Sequence, residues 1–402
     1  MKAVVFERYA KGCCDRAISR VFAELARDPR SLARFSAILR LAQADSGLLR
    51  RPTLQGSRVL EVEALRNLAT FDGDYLRAPR DWSPESGAGL SAIASLAEHL
   101  LARYAMPHFL SSVWFGDQSR GARDKRGWFA AHGQGTRFRE LRLPLTMTRR
   151  MEGIFLRSPD HLDVNRALRR AELVSLEVRP ELCEAVLATR LGRHLENGPF
   201  WLTFIEFVAR FQDELAANDI APMVDFLQFV RHEPVEVWAS GVLLRQPPQP
   251  AFSLSGRTPA SMLRLVDNWH AALGRSRRAN LSWPRSGYRP MSFQTTPVDP
   301  NKSPTRWQIV EITNSEELRL EGAALRHCVR TYAYDCRRRL SSIWSLRKRT
   351  QSNRLRPVLT IEVDPRAHEV VQARGYRNHF PTARAREMML SWARRENLRV
   401  CV

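Results

Sequence analysis

The sequence predicts an α+β protein: a mostly helical N-terminal and central region followed by a small C-terminal α-β-β-β-α module with an antiparallel sheet. Three observations predict it. Apolar residues recur at helical spacing through much of the first 280 residues. Pro284, Pro290, Pro297, Pro300 and Pro304 then crowd one short stretch. Beyond them, three runs of strand-like alternation lie between two amphipathic helices. A chain of 402 residues is too long for one typical core. The expected division is 1–135, mixed and mainly helical; 136–280, a helical bundle or short solenoid; 281–305, a Pro-rich linker; and 306–402, a basic α/β module.

From the start, Ile18, Val21, Phe22 and Leu25 recur at i, i+3, i+4 and i+7, and Leu32, Phe35, Ile38 and Leu39 continue after Asp28-Pro29. A further helix is predicted over 90–101. The stretch 116–135, with five glycines among mixed charges, is predicted as a loop. From 144 to about 233 the pattern is helical throughout, with wide apolar faces and no fixed repeat period. Pro247, Pro248 and Pro250 mark an extended connector. Thr258 and Pro259 then open a helix whose stripe is Met262, Leu263, Val266 and Trp269.

Net charge is +21, enough to draw phosphate backbones by steering and counterion release. Nucleic acid is therefore an expected partner, although only five of the 63 basic residues are lysine, so an Arg-rich coding bias also accounts for part of the surplus. No apolar run approaches the roughly 18 residues of a membrane span, and residues 1–10 lack a signal-peptide pattern. A cytoplasmic protein without membrane contact is expected. The six cysteines form no CxxC pair or framework spacing and are expected as reduced thiols. The histidines are scattered without ligand spacing and no phosphate-loop or dinucleotide glycine motif occurs, so neither metal nor cofactor is expected.

In the C-terminal module, Asn314 and Glu317 have capping-box spacing. The helix they open is predicted to reach about Arg338, with Leu318, Leu325, Val329, Tyr332 and Cys336 on one face and Glu321 and Cys328 within that stripe. His327 lies off it. Helical neighbours point about 100° apart, which argues against a simple Cys-His dyad and for Cys328 as a small buried hydrophobe. A carboxylate in an apolar stripe needs a partner. Arg374, Arg326 or His327 is expected to supply one, which makes Glu321 either a buried ion pair or an acid-base group.

Strands are predicted over 342–347, 358–363 and 369–374, joined as a meander. Alternation puts Leu359, Ile361 and Val363 on one face and Thr360 and Glu362 on the other. If 362 lies opposite 372, then Thr360, Glu362, Gln372 and Arg374 form one polar patch beside Gly375 and Asn378. That set suits a phosphate or sugar, with Glu362 or His327 moving protons, or else it is a solvated outer sheet face. Trp344 and Ser345 are expected to line or underlie the same region. The runs Arg337-Arg338-Arg339 and Arg347-Lys348-Arg349 flank one strand, as a phosphate-tracking groove or as solvated faces. A last helix over 382–397 turns Met388, Met389 and Trp392 to the sheet. From 306 onward there are 20 Lys or Arg and 10 Asp or Glu, a local charge of +10.

The run Glu321-Gly322-Ala-Ala-Leu-Arg-His327-Cys328-Val329, then Tyr332, Ser342-Ile-Trp344-Ser345-Leu, Thr360-Ile-Glu362-Val and Gln372-Ala-Arg374-Gly375-Tyr-Arg-Asn378 resembles the signature of the PcfJ-like family, named after a protein of a conjugative plasmid. The segments 135–146 and 252–259 also resemble its longer bacterial chromosomal members. Arg330 departs from the Gly that some relatives carry there. The resemblance implies an association with mobile elements and nucleic acid, and no particular reaction. The expected function is thus a nucleic-acid-associated protein with a mobile-element (plasmid, conjugation) or defence role. Two alternatives stand beside it. One is an enzyme acting on phosphodiester or nucleotide substrates through Glu321, His327, Glu362 and Arg374, with Thr360, Gln372, Asn378, Ser345 and Arg347 binding the ligand. The other is a protein-interaction module that takes a protein partner through its helical region.

Overall fold

The computed structural model describes residues 13–44, 55–83, 90–115, 120–239, 242–275, 281–295, 305–327, 329–349 and 354–400. The chain divides into two units, Met1–Ser175 and Leu176–Val402. That boundary falls inside 136–280, the stretch expected as a helical bundle or short solenoid.

The described part of the first unit is helical: α1 Cys13–Leu25, α2 Pro29–Ala44, α3 Gln55–Ala69, α4 Leu90–Leu101, α5 Arg120–Gly133, α6 Arg149–Leu156 and α7 Val164–Ser175. The break between α1 and α2 falls at Asp28-Pro29, where the Asp28 carboxylate accepts from the backbone N–H groups of Arg30 and Ser31. Most of the stretch predicted as a loop, 116–135, is helix α5. Phe129 packs edge-on against Trp114 at 5.4 Å, and a Cβ on Gly133 would come within 2.8 Å of Ala102 Cβ. Burial of that face outweighs the helix-weakening Gly121 and Gly127.

The second unit opens with α8 Pro180–Leu187, α9 Gly198–Arg210 and α10 Ala217–His232, followed by a hairpin of β1 Val235–Ala239 and β2 Val242–Gln246 that the sequence reading does not contain. Helix α11, Pro259–Arg275, starts as predicted, with the Thr258 hydroxyl accepting from Ser261 N–H. Then come β3 Met291–Thr295, β4 Thr305–Ile312, α12 Ser315–Leu325, α13 Ala333–Arg337, β5 Ser342–Arg349, β6 Leu355–Asp364, β7 Glu369–Arg374, α14 Ala383–Arg395 and β8 Arg399–Val400.

Strands β3 to β8 form one six-stranded sheet in chain order, antiparallel except for the parallel β7–β8 pair. Its centre, β5–β6–β7, is the predicted meander. The Pro-rich stretch 281–305, expected as a linker, contributes to the sheet through its described part. Trp283 is buried with its indole donating to the Ile312 carbonyl at 3.1 Å, and β3 pairs with β4. Pro284 and Pro290 precede β3 and so remove no donor from the ladder.

One sheet face carries Trp344, Leu359, Ile361 and Val363 against Met388, Met389 and Trp392 of α14. Trp344 therefore underlies the polar patch from the opposite sheet face rather than lining it, since strand neighbours point to opposite faces. Ile312 and Ile343 pack on the other face with Leu318 of α12, Val329 and Cys336. Helix α12 is capped as predicted, Asn314 Oδ1 accepting from Glu317 N–H at 2.8 Å, but it ends at Leu325 rather than near Arg338. Arg326 is left-handed at φ +53°, and a 3-10 turn Val329–Tyr332 and α13 follow. Tyr332 and Cys336 thus come from separate turns, and Cys328 lies outside the described residues. No helix among the described residues is long and apolar enough to cross a membrane.

Trp344 and Trp392 meet at 4.7 Å between ring centroids, both fully buried. Trp344→Ala is expected to cost the second unit about 3–5 kcal/mol, measured as a shift in the urea midpoint of the full chain. A loss under about 1 kcal/mol would show that this face is not the module's core.

Candidate functional site

The polar patch forms as the alternation predicts: Glu362 lies opposite Gln372 and Thr360 opposite Arg374. On the other side of β6, Ser345 pairs with Thr360. The patch is not a solvated face. Ser345, Thr360, Glu362 and Arg374 are all buried, because α12 and the turns after it lie over that side of the sheet.

Glu321 hangs from α12 onto this face and is 1% exposed. Among the described residues no arginine forms an ion pair with it, although the charge of Arg347 acts on it at longer range. Ser345 Oγ donates to one carboxyl oxygen at 2.8 Å and Thr360 Oγ1 to the other at 2.9 Å. Burial raises the Glu321 carboxyl to about 7, against the lowering pull of the two hydroxyls. The Thr360 proton is spent on Glu321, so the contact between Thr360 Oγ1 and His327 Nε2 at 2.9 Å is one in which the imidazole donates. The carboxylate thereby sets the His327 tautomer through the threonine. Burial also pushes His327 down to about 4, so it is a neutral imidazole at physiological pH. Arg347 Nε completes the chain by donating to Ser345 Oγ at 3.1 Å.

Gly322 is what allows His327 to reach this position. The chain reverses at Arg326, His327 N–H returns to the Gly322 carbonyl at 3.2 Å, and a Cβ at Gly322 would lie 2.8 Å from the His327 carbonyl oxygen. Adjacent Glu321 and Gly322 therefore serve one end of the same turn. The 100° helical separation does not apply to His327, which lies beyond the helix end.

His327, Thr360, Glu362, Gln372, Arg374 and Asn378 line one narrow cleft. Glu321 and Ser345 lie behind Thr360, with Arg347 beyond Ser345. Val329, Tyr332, Ile343 and, from α10, Asp225 complete the walls. The cleft has about 20 Å³ of room for water centres, space for one or two waters. Glu362 is occupied: Ser341 Oγ donates to it at 2.8 Å and Arg193 Nη2 lies 3.4 Å from it. Burial works against the Arg193 charge, but Glu362, together with Tyr332 and Asp364, more than offsets it and the guanidinium pKa rises. Gln372 accepts from the Tyr332 hydroxyl at 3.2 Å.

Arg374 differs from the rest. It is 7% exposed, and burial lowers its pKa, yet a guanidinium stays protonated at any ordinary pH. Among the described residues it makes no ion pair or hydrogen bond; its Nε is buried without a partner, as is Asn378 Nδ2. The ring of Phe380 lies 4.5 Å from the guanidinium carbon, and the Asp225 carboxylate on the cleft wall acts on the guanidinium by charge alone, partly opposing the effect of burial. Removing a cation from water without a hydrogen-bonded counter-ion costs several kcal/mol.

Residues 258–390 match the family described as PcfJ-like protein. The C-terminal region is PcfJ-like. No curated protein and no solved structure matches this chain. The PcfJ-like match takes in α11 and the Pro-rich stretch as well as the sheet, and it ends within α14. Among the described residues no group of three or more His, Cys, Asp or Glu is placed to hold a metal ion. Sequence reasoning missed Arg193 and Asp225, which lie more than a hundred residues away and carry no spacing signal, and Phe380, which reads as an ordinary loop aromatic.

Glu321 and His327 make opposite contributions to stability. The Glu321 carboxyl is raised on folding, so its contribution is complete below about 4.5 and is lost as pH climbs to about 7. His327 is lowered, so its contribution is complete above about 6.5 and is lost as pH falls to about 4. Each is worth roughly 3 kcal/mol, and the two nearly cancel. Relative to the native chain, Glu321→Gln is expected to gain stability from pH 4.5 to 7, and His327→Asn to lose it from pH 4 to 6.5. Parallel stability-pH curves for all three proteins would contradict the coupling.

Proposed function

We propose that the PcfJ-like module is nucleic-acid-associated, binding a phosphodiester through Arg374 and Asn378 in its cleft. A role on mobile elements such as conjugative plasmids, or in defence, and action in the cytoplasm belong to the same proposal. The observation that carries it is the buried Arg374 guanidinium, which among the described residues has no hydrogen-bonded or ion-paired carboxylate and feels Asp225 only through its charge, beside an Asn378 amide nitrogen with no acceptor. A phosphate oxygen satisfies both, and a guanidinium fork suits two phosphate oxygens at once. The local surplus of +10 from residue 306 supplies the long-range attraction, and the exposed Arg337, Arg338 and Arg339 lie at one end of β5.

The test is an electrophoretic or anisotropy titration of the full chain with single-stranded DNA, duplex DNA and RNA at 50 and 200 mM salt, roughly the range over which counterion release is readily measured. Arg374→Ala is expected to weaken binding and to reduce the salt slope by about 0.7 for single strands or 0.9 for duplex. Absence of binding at low salt, or binding indifferent to salt, sinks the reading.

One observation favours a second reading, an enzyme acting on phosphodiester or nucleotide substrates. A neutral His327, oriented by Thr360 and Glu321, lines the same cleft as Arg374 and is a suitable proton acceptor for a hydroxyl or water beside a bound phosphate. Glu362, held by Arg193 and Ser341, is the poorer candidate. If the module turns substrate over, His327→Ala abolishes turnover of an end-labelled oligonucleotide while phosphate-dependent binding persists; turnover retained in that variant removes His327 from the chemistry.

A further inference from the structure

Two exposed aromatic side chains lie against arginines, one of which, Arg374, lines the cleft. Phe380 is 55% exposed and Tyr376 is 49% exposed. Both belong to the turn that follows β7, on either side of the buried Asn378. Each lies against an arginine: the Arg374 guanidinium carbon is 4.5 Å from the Phe380 centroid, and that of Arg326 is 5.7 Å from the Tyr376 centroid. One face of Phe380 is therefore turned to the cation that forms the cleft's anion site, while half of its surface remains open to solvent.

We infer that Phe380, with Tyr376 beside it, is the stacking platform for an unpaired nucleobase whose own phosphate sits on Arg374 and Asn378, making the site selective for single strands. The inference rests on the phosphodiester reading above and deepens it. Aromatic rings beside a cationic groove are the usual means of holding single strands, because every base offers a flat face to a ring. A duplex keeps those faces inside its own stack and presents only phosphates to such a rim. The separation fits a single nucleotide, since the ring and the guanidinium are already in contact. An aromatic stacked on a guanidinium is also a favourable partner for a third flat group, because the cation lies over one ring face and leaves the other available.

The turn's construction favours a fixed platform. Asn378 is left-handed at φ +60°, its N–H returns to the Gly375 carbonyl at 3.1 Å, and Gly375 N–H reaches the His379 carbonyl at 2.8 Å. Tyr376 and Phe380 are thereby held at the two ends of a closed turn, where an open aromatic costs little to present.

The test uses the full chain and three fluorescent probes of equal length: a single-stranded oligonucleotide, the matching duplex, and an abasic strand that keeps the phosphates and lacks the bases. The single strand is expected to bind about 5- to 150-fold tighter than the abasic strand. Phe380→Ala should erase that ratio and leave the abasic affinity unchanged, whereas Phe380→Tyr should keep it; Tyr376→Ala should reduce it. Because both rings are half exposed, these variants should fold, which a thermal melt checks. If all three probes bind alike and Phe380→Ala changes none of them, the stacking platform is overturned while phosphate binding stands. If no probe binds at low salt, both readings fall together.

Discussion

A carboxyl group with almost no exposure has to be answered by donors, and Glu321 is answered by two hydroxyls from two different strands. Ser345 belongs to β5 and Thr360 to β6, so one side chain of α12 joins the helix to the centre of the sheet. Apolar contacts of Leu318 with Ile312 and Ile343 hold the helix down, but they are non-directional. The two hydrogen bonds set its rotation and register. Once that register is set, the helix has to end where it does, and Gly322 leaves room for the chain to fold back so that His327 meets the other side of the same threonine. The cleft is a consequence of this one attachment.

The attachment also explains why two ionisable groups sit together without forming an ion pair. Thr360 stands between Glu321 and His327 and has a single proton to give. When the carboxylate is charged, that proton goes to Glu321 and the imidazole donates from Nε2. When Glu321 takes a proton on the oxygen facing Thr360, the chain reverses and the threonine donates to the ring instead. The two arrangements differ by one proton and no change of fold, with Glu321 near 7. A direct Glu-His contact would favour the charged pair and fix the ring as a cation; the intervening hydroxyl lets the ring remain neutral.

Much of this was legible in the sequence, and the reasons for the remainder are specific. Alternation along 358–363 and 369–374 sufficed to place Thr360, Glu362, Gln372 and Arg374 on one face, because a strand has a period of two and a short turn restricts the register. Glu321 was visible as a carboxylate in an apolar stripe. Its partners were not, since an arginine and a hydroxyl both satisfy the pattern. The helix end at Leu325 was hidden because Arg326 is not a residue that announces a left-handed conformation; the signal was the small Gly322 upstream, which reads as a mere weakening of the helix. The Pro-rich stretch reads as a linker because prolines break strands, whereas β3 occupies a short proline-free run, Met291–Thr295, within it. Helix α5 was obscured by glycines whose cost is outweighed by Phe129 against Trp114. Arg193 reaches Glu362 across 169 positions of sequence, and no local pattern reports such a pair.

That long-range pair decides the cleft's charge. Glu362 and Arg374 lie on the same sheet face, yet they do not pair among the described residues. Arg193 takes one oxygen of Glu362 while Ser341 takes the other, and Arg374 is left with a ring in contact and Asp225 acting on it only by charge. The helical segment before the module thus contributes to the site without touching a ligand. By occupying the acid it leaves Arg374 to the Phe380 ring and to the more distant charge of Asp225. The constraint that began with a carboxyl needing donors ends with a buried cation whose charge is only partly answered inside the cleft.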